Sequence, residues 1–307
     1  MPKVHIAKSI HIDAPVDEVY PKLNNFNHWT SWSPWLIMEP EAQVDVSDDA
    51  KYYAWEGERV GSGHMRVTAE KANEFVYYDL TFLKPWKSTS KVRFELQPNN
   101  GGTEVTWLMD TSLPFFLFWM KKQMTAFIGM DYERGLALLK DYAEDGEVHS
   151  RLDFKGFSEY PGCTYIGIAT ECGLDELGPR MADDLTRLWT FLGARQDLIA
   201  GPAFSIYHKW DVVKGKAAYT SAIPLQRIPG ELPSGISSGS IPATRVYSLR
   251  HTGPYAHLGN AWSTLYNMQR GKVFKLHKQI DPFETYLNNP REVPDRELVT
   301  EVRFPVK

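Results

Sequence analysis

The chain has 307 residues, 43% of them apolar and 23% charged, which is the composition of a soluble globular protein with room for two domains of about 150 residues each. Its formal charge of −4 gives no electrostatic reason to expect nucleic acid or a membrane as partner. Two cysteines, Cys163 and Cys172, stand in no CxxC or zinc-like Cys/His pattern, so no metal site is implied.

The N-terminal residues MPKVHIAKS lack the apolar core of a signal peptide, and the longest apolar run, 113–120, is too short to span a bilayer. A reduced, cytoplasmic protein is expected. No phosphate loop, dinucleotide fingerprint, HExxH or nucleophile elbow occurs, and no cofactor is expected.

In chain order, Val4, Ile6, Ile10 and Ile12 alternate as in a strand. Asp13 then reads as the cap of a helix with Pro15 in its first turn, and Pro21 as its end or kink. Period-two segments follow at 64–70, 75–83, 88–96 and 103–109, with a hairpin signal in PNNGG at 98–102. From 119 to 144 the period changes: Met120, Met124, Phe127, Ile128, Tyr132, Leu136, Leu139 and Ala143 recur at three and four, giving a long amphipathic helix. Gly129 and Gly135 within it point to close packing on the sheet. A curved antiparallel sheet closing on one long helix leaves a cavity between them.

This order, with Ala14, Pro15, Val19 and Tyr20 and the tryptophans Trp29, Trp32 and Trp35, resembles the START-like or polyketide-cyclase superfamily (SRPBCC), the helix-grip fold, over residues 3–145. The resemblance implies a fold more than an activity. Trp29, Trp32, Trp35 and Trp107 are the expected lining of the N-terminal cavity.

The domain boundary is placed near residue 146, giving 1–146 and 147–307; residues 144–160 read as polar and irregular. Beyond it the chain repeats. PGCTYIGIATECG at 161 matches PATRVYSLRHTG at 242, each followed by an apolar-periodic helix that stops at Gly193 or Gly271. FSIYHKWD at 204 matches FETYLNNP at 283, and AAYTSAIPL matches LVTEVRFPV, all at an offset of about 80 residues. Each half, 151–227 and 240–307, reads strand–helix–strand–strand, with a Pro/Gly/Ser-rich loop at 228–243. Fold class is therefore α+β: a helix-grip sheet followed by a pseudo-twofold duplicated β-α-β-β unit with a groove along its seam.

The second half also resembles the GyrI-like family, small-molecule effector-binding domains, through Gly253, Pro254, Tyr255, Trp262, Phe283, Tyr286, Pro290, Glu301 and Pro305. What the resemblance implies is an aromatic groove holding a buried Glu, with binding of cationic or apolar ligands in some members and hydrolysis of strained-ring genotoxins in others. On this reading Glu301 is the acid of the site, and the general base if the protein is an enzyme. Trp262, Tyr255, Tyr286, Phe283, Tyr207 and Trp210 are its expected aromatic neighbours. A carboxylate among aromatic rings wants a cation or a donor, and it becomes a general base if a water sits on it. The expected partner is a small apolar or cationic molecule, with no direct nucleic acid and no membrane. Two other roles stay open: a hydrolase of reactive xenobiotics, and a protein-interaction module without catalysis.

Overall fold

The computed structural model describes residues 3–84, 87–112 and 115–307, so two residues of the apolar run at 113–120 lie outside the described residues. The chain divides into two units, Met1–Ser150 and Arg151–Lys307.

In the first unit, alternating segments become β1 (Lys3–Ile12), β2 (Gln43–Val46), β3 (Tyr52–Glu56), β4 (Ser62–Lys71), β5 (Phe75–Lys84), β6 (Ser88–Asn99) and β7 (Gly102–Ser112). They form one antiparallel sheet in the order β1-β7-β6-β5-β4-β3-β2. The two-residue turn between β6 and β7 places Asn100 at φ 50° and Gly101 at φ 87°, the left-handed pair such a hairpin requires. Helices α1 (Val16–Asn24), α2 (Trp29–Trp32) and α3 (Lys121–Glu144) complete the unit.

Several details depart from expectation. Asp13 does not cap α1: Pro15 holds the N-cap position, and the Asp13 carboxylate takes His11 at 3.0 Å instead. Pro21 lies inside α1, which continues to Asn24. Strands β2 and β3 are too short to have stood out by alternation.

Of the four tryptophans, Trp29, Trp32 and Trp107 are buried and Trp35 is partly buried against them. Trp29 and Trp32 meet at 4.6 Å between ring centroids, and Trp32 and Trp35 each reach Trp107 edge-on at about the same distance, 5.9 and 5.8 Å. Trp107 in turn stacks on Tyr132 of α3 at 4.0 Å. This close approach depends on Gly135, where a Cβ would lie 2.6 Å from the Trp107 ring and 2.9 Å from Pro34. A pocket of about 270 Å³ has Trp32 in its wall, with Thr30, Ser33, Leu36, Ile37 and Leu138; Trp29, Trp35 and Trp107 do not line it.

In the second unit the strands are β8 (Arg151–Tyr160), β9 (Cys163–Gly173), β10 (Phe204–Asp211), β11 (Lys216–Leu225), β12 (Ser237–Ile241), β13 (Thr244–Thr252), β14 (Phe283–Tyr286) and β15 (Val299–Pro305). Helix α4 (Leu177–Leu192) follows β9, and α5 (Gly259–Arg270) follows β13. The sheet order is β12-β9-β11-β10-β14-β15-β13-β8, which reads the same from either end under the duplication. Its centre is the antiparallel pair β10 and β14, with Ser205 opposite Glu284.

Each half therefore has one strand more than the sequence suggested. Residues 151–160, read as irregular, form β8, and part of the 228–243 loop forms β12. These leading strands are exchanged: β8 pairs with β13 of the second half and β12 with β9 of the first. The alternation of β8 is interrupted at Gly156, φ 75°, where the register shifts.

Both helices pack on one face. Leu188 and Leu192 of α4 cover Ile166, Ile168 and Ile223, while Leu258, Ala261 and Leu265 cover Leu249, Val302 and Phe304. The central strands β10 and β14 lie between these two cores. The opposite face holds a third cluster of Phe204, Ile206, Ala222, Ile241 and Phe283. Tyr160 of the edge strand packs on Phe283 of the central strand at 5.0 Å, so the sheet curls over that face.

Candidate functional site

The duplication places different residues at equivalent positions of β10 and β14. FSIY in the first half becomes FETY in the second, so Glu284 stands where the first half has Ser205. Glu284 points to the helix side of the sheet, in register with Val302, and is 1% exposed.

Three neutral donors hold its carboxylate. Oε1 accepts from the hydroxyls of Tyr207 and Tyr286, each at 2.9 Å, and Oε2 accepts from Trp262 Nε1 at 2.6 Å. Ser205 Oγ lies 2.9 Å from the Tyr286 oxygen and extends the network across the seam. Among the described residues no cationic side chain pairs with Glu284. Burial pushes its pKa up, against the pull of the Trp262, Tyr286 and Tyr207 hydrogen bonds. The same burial, with the Glu284 charge, holds Tyr207 and Tyr286 well above the usual phenol range. Tyr255 is pushed up to about 12, first by burial and then by Glu284.

Aromatic rings enclose this carboxylate from both halves. Tyr207 meets Trp262 edge-on at 4.8 Å, and Tyr255 meets Tyr286 at 5.7 Å. Trp210 joins Tyr207 at 5.8 Å through a β-bulge. Tyr207 registers with Tyr219, but Lys209 registers with Ala218 and Trp210 with Ala217, which leaves His208 as the extra residue. The bulge keeps Trp210 on the face of Tyr207, where simple alternation would turn it away. His208 secures the bulge from the other face, its Nδ1 2.8 Å from Asp281 Oδ2 and its Nε2 2.8 Å from Thr220 Oγ1.

Of the residues expected at the site, the structure brings together Trp262, Tyr255, Tyr286, Tyr207 and Trp210, around Glu284. Glu301 and Phe283 do not join them. Glu301 registers with Thr285 and Phe283 with Arg303, so all four face the curled side, opposite the helices. There the Glu301 carboxylate takes Arg250 at 2.8 Å and Arg303 at 2.7 Å, so two guanidinium groups share this one acid and it is not an open one. Phe283 is fully buried against Tyr160 and Phe204. The acid of the aromatic cluster is thus corrected from Glu301 to Glu284, whose signal was its place between Phe283 and Tyr286.

A second buried acid went unremarked in the sequence. Asp184 of α4 accepts from the hydroxyls of Thr170 at 2.7 Å and Tyr219 at 3.2 Å. Tyr219 lies 6.2 Å from Tyr207, so the two acids flank one tyrosine pair.

Residues 160–307 match the family model described as GyrI-like small molecule binding domain, and residues 3–144 match that of polyketide cyclase / dehydrase and lipid transport. No curated protein matches the chain. Among solved structures, the EcmrR C-terminal domain is 19% identical, with 52% of this chain and 98% of that one covered and a TM-score of 0.39. The Aha1 dimer from Colwellia psychrerythraea is 19% identical, covering 47% and 98% with a TM-score of 0.35. Protein MLL2253 from Mesorhizobium loti is 14% identical, covering 45% and 94% at a TM-score of 0.35. The chain thus joins a polyketide cyclase/dehydrase-type domain to a GyrI-like small molecule binding domain.

Proposed function

We propose that the second unit captures a small, largely apolar organic cation between α4 and α5, with Glu284 as its counter-charge. The observation that carries this reading is a carboxylate buried among aromatic rings and held by neutral donors alone. Such a group is costly to keep ionised, and an incoming cation recovers that cost. Faces of Tyr207, Trp262 and Tyr286 add cation–π attraction, about 0.5–2 kcal/mol each. Tyr255 and Trp210, both half-exposed, form the rim through which the ligand enters.

Support for a reducing compartment such as the cytoplasm comes from Cys163 and Cys172, which are unbridged. The net negative charge speaks against direct contact with nucleic acid.

The test is a thermal-shift titration with a lipophilic cation, such as a triarylmethyl dye, beside a neutral isostere. The cation should raise the melting temperature far more than the isostere, and Glu284→Gln should remove that preference. Equal shifts from both compounds in the wild type would sink the reading. Mass spectrometry of the recovered ligand separates capture from hydrolysis: an unaltered ligand supports binding, and a hydrolysed one moves Glu284 to the role of general base.

A further inference from the structure

One end of the first unit's sheet carries an exposed aromatic ridge. Register places Lys3 beside Ser112, Ser62 beside Lys84 and Phe82 beside Ser88. The start of β1, the end of β5, the start of β6 and the end of β7 therefore share that end. In the short 3-10 helix Phe115–Met120, Phe116 is 72% exposed, Phe118 60% and Trp119 65%. Leu83, at the end of β5, is also exposed. Single exposed hydrophobic residues are ordinary, but three exposed aromatic rings within four positions make a patch.

Lysines surround it. Lys3, Lys84, Lys87, Lys121 and Lys122 are all exposed at this end. Glu56 matches Lys84 at 2.8 Å, while no carboxylate among the described residues pairs with the other four. The local charge is thus opposite in sign to that of the whole chain, −4. Lys121 and Lys122 moreover work against the fold: they open α3, whose first turn holds no acid, where the helix dipole disfavours cations.

We propose that this end of the first unit docks peripherally on an anionic phospholipid bilayer. The aromatic rings enter the boundary between headgroups and acyl chains, and the lysines meet the lipid phosphates. Charge complementarity favours the lipid surface over a second copy of the chain, which would bring the same lysines face to face. The expectation of no membrane partner rested on net charge, which averages this patch away.

The experiment is co-sedimentation of the full chain with phosphatidylcholine vesicles, with and without phosphatidylglycerol. The wild type should bind the phosphatidylglycerol vesicles at low salt, leave them at high salt, and ignore pure phosphatidylcholine. Lys121→Glu/Lys122→Glu should abolish binding, since each lysine near the surface contributes roughly fivefold. The same variant should melt higher than the wild type, because acids suit a helix N-terminus, so misfolding cannot explain its loss. Phe116→Ser/Phe118→Ser/Trp119→Ser should also lose binding, with its melting temperature unchanged. The proposal is overturned if the wild type stays in the supernatant with anionic vesicles, or if the charge-reversed variant binds as well as the wild type. A wild-type dimer in sedimentation velocity that the triple serine variant dissolves would assign the ridge to a second copy instead, and would equally overturn it.

Discussion

Tyr207 and Trp262 come from opposite halves of the duplication, meet edge to face at 4.8 Å, and each donate to a different oxygen of Glu284. The acid is thereby clamped across the pseudo-twofold seam, although only the second half encodes it. A symmetric scaffold carries an asymmetric charge, and a ligand bound there has one orientation to choose.

Glu284→Gln separates binding from stability. Because burial raises the Glu284 pKa in the folded state, the proton binds more tightly there than in the unfolded chain. Its contribution is present below the unfolded carboxyl pKa and is lost as pH rises through the raised folded value. At neutral pH the glutamine variant should be more stable than the wild type without ligand, by about 1 kcal/mol, and should lose the slope of stability in the weakly acidic range. Urea denaturation at several pH values measures both.

Glu301→Gln should behave in the opposite way. It leaves Arg250 and Arg303 without their shared anion, and a lost partner of a buried ion pair is strongly destabilising. Arg250 is partly exposed, which lessens the effect to about 2 kcal/mol. Affinity for the lipophilic cation should stay within about twofold of wild type, because the side chain lies on the other face of the sheet.

His208→Ala tests the bulge. The change removes contacts to Asp281 and Thr220, both at 2.8 Å, and should lower stability by about 1 kcal/mol. If the bulge aims Trp210, ligand affinity should fall by the same factor as in Trp210→Ala, and the double variant should lose no more than either alone. Titration of all three variants with one dye checks this.

Gly135→Ala should be harmful despite the better helix propensity of alanine. The new Cβ would meet the Trp107 ring at 2.6 Å, and that ring is already stacked on Tyr132 at 4.0 Å. Overpacking of about 1–3 kcal/mol outweighs a propensity gain of about 1 kcal/mol, so the melting temperature of the first unit should drop.

Much of the fold was legible because its elements are long and periodic: β1, β4 to β7 and α3 follow alternation or a helical repeat, and the duplication shows as matched strands at a near-constant offset. Strands β2 and β12 are too short or too polar to signal themselves, and Gly156 interrupts the period of β8. The acid was misplaced for a different reason. Alternation divides β15 into two faces but does not say which one the helices cover, and here both faces are buried. Glu301 beside Arg303 resembled a free acid only while Arg250 could not be seen opposite it. Trp210 reaches the cluster only through an extra residue in β10, which no period in the sequence announces.

The exchange of β8 and β12 has a consequence for how the chain is made. During synthesis β8 emerges first but finds its neighbour only when β13 appears, some 90 residues later. Until then the first half lacks β12 as well, so both its outer edge and its leading strand stand open to other chains. Such late, distant pairing slows folding and ties the two halves into one cooperative transition. Cutting the gene between the repeats should therefore give two insoluble pieces, with recovery only when both are produced together.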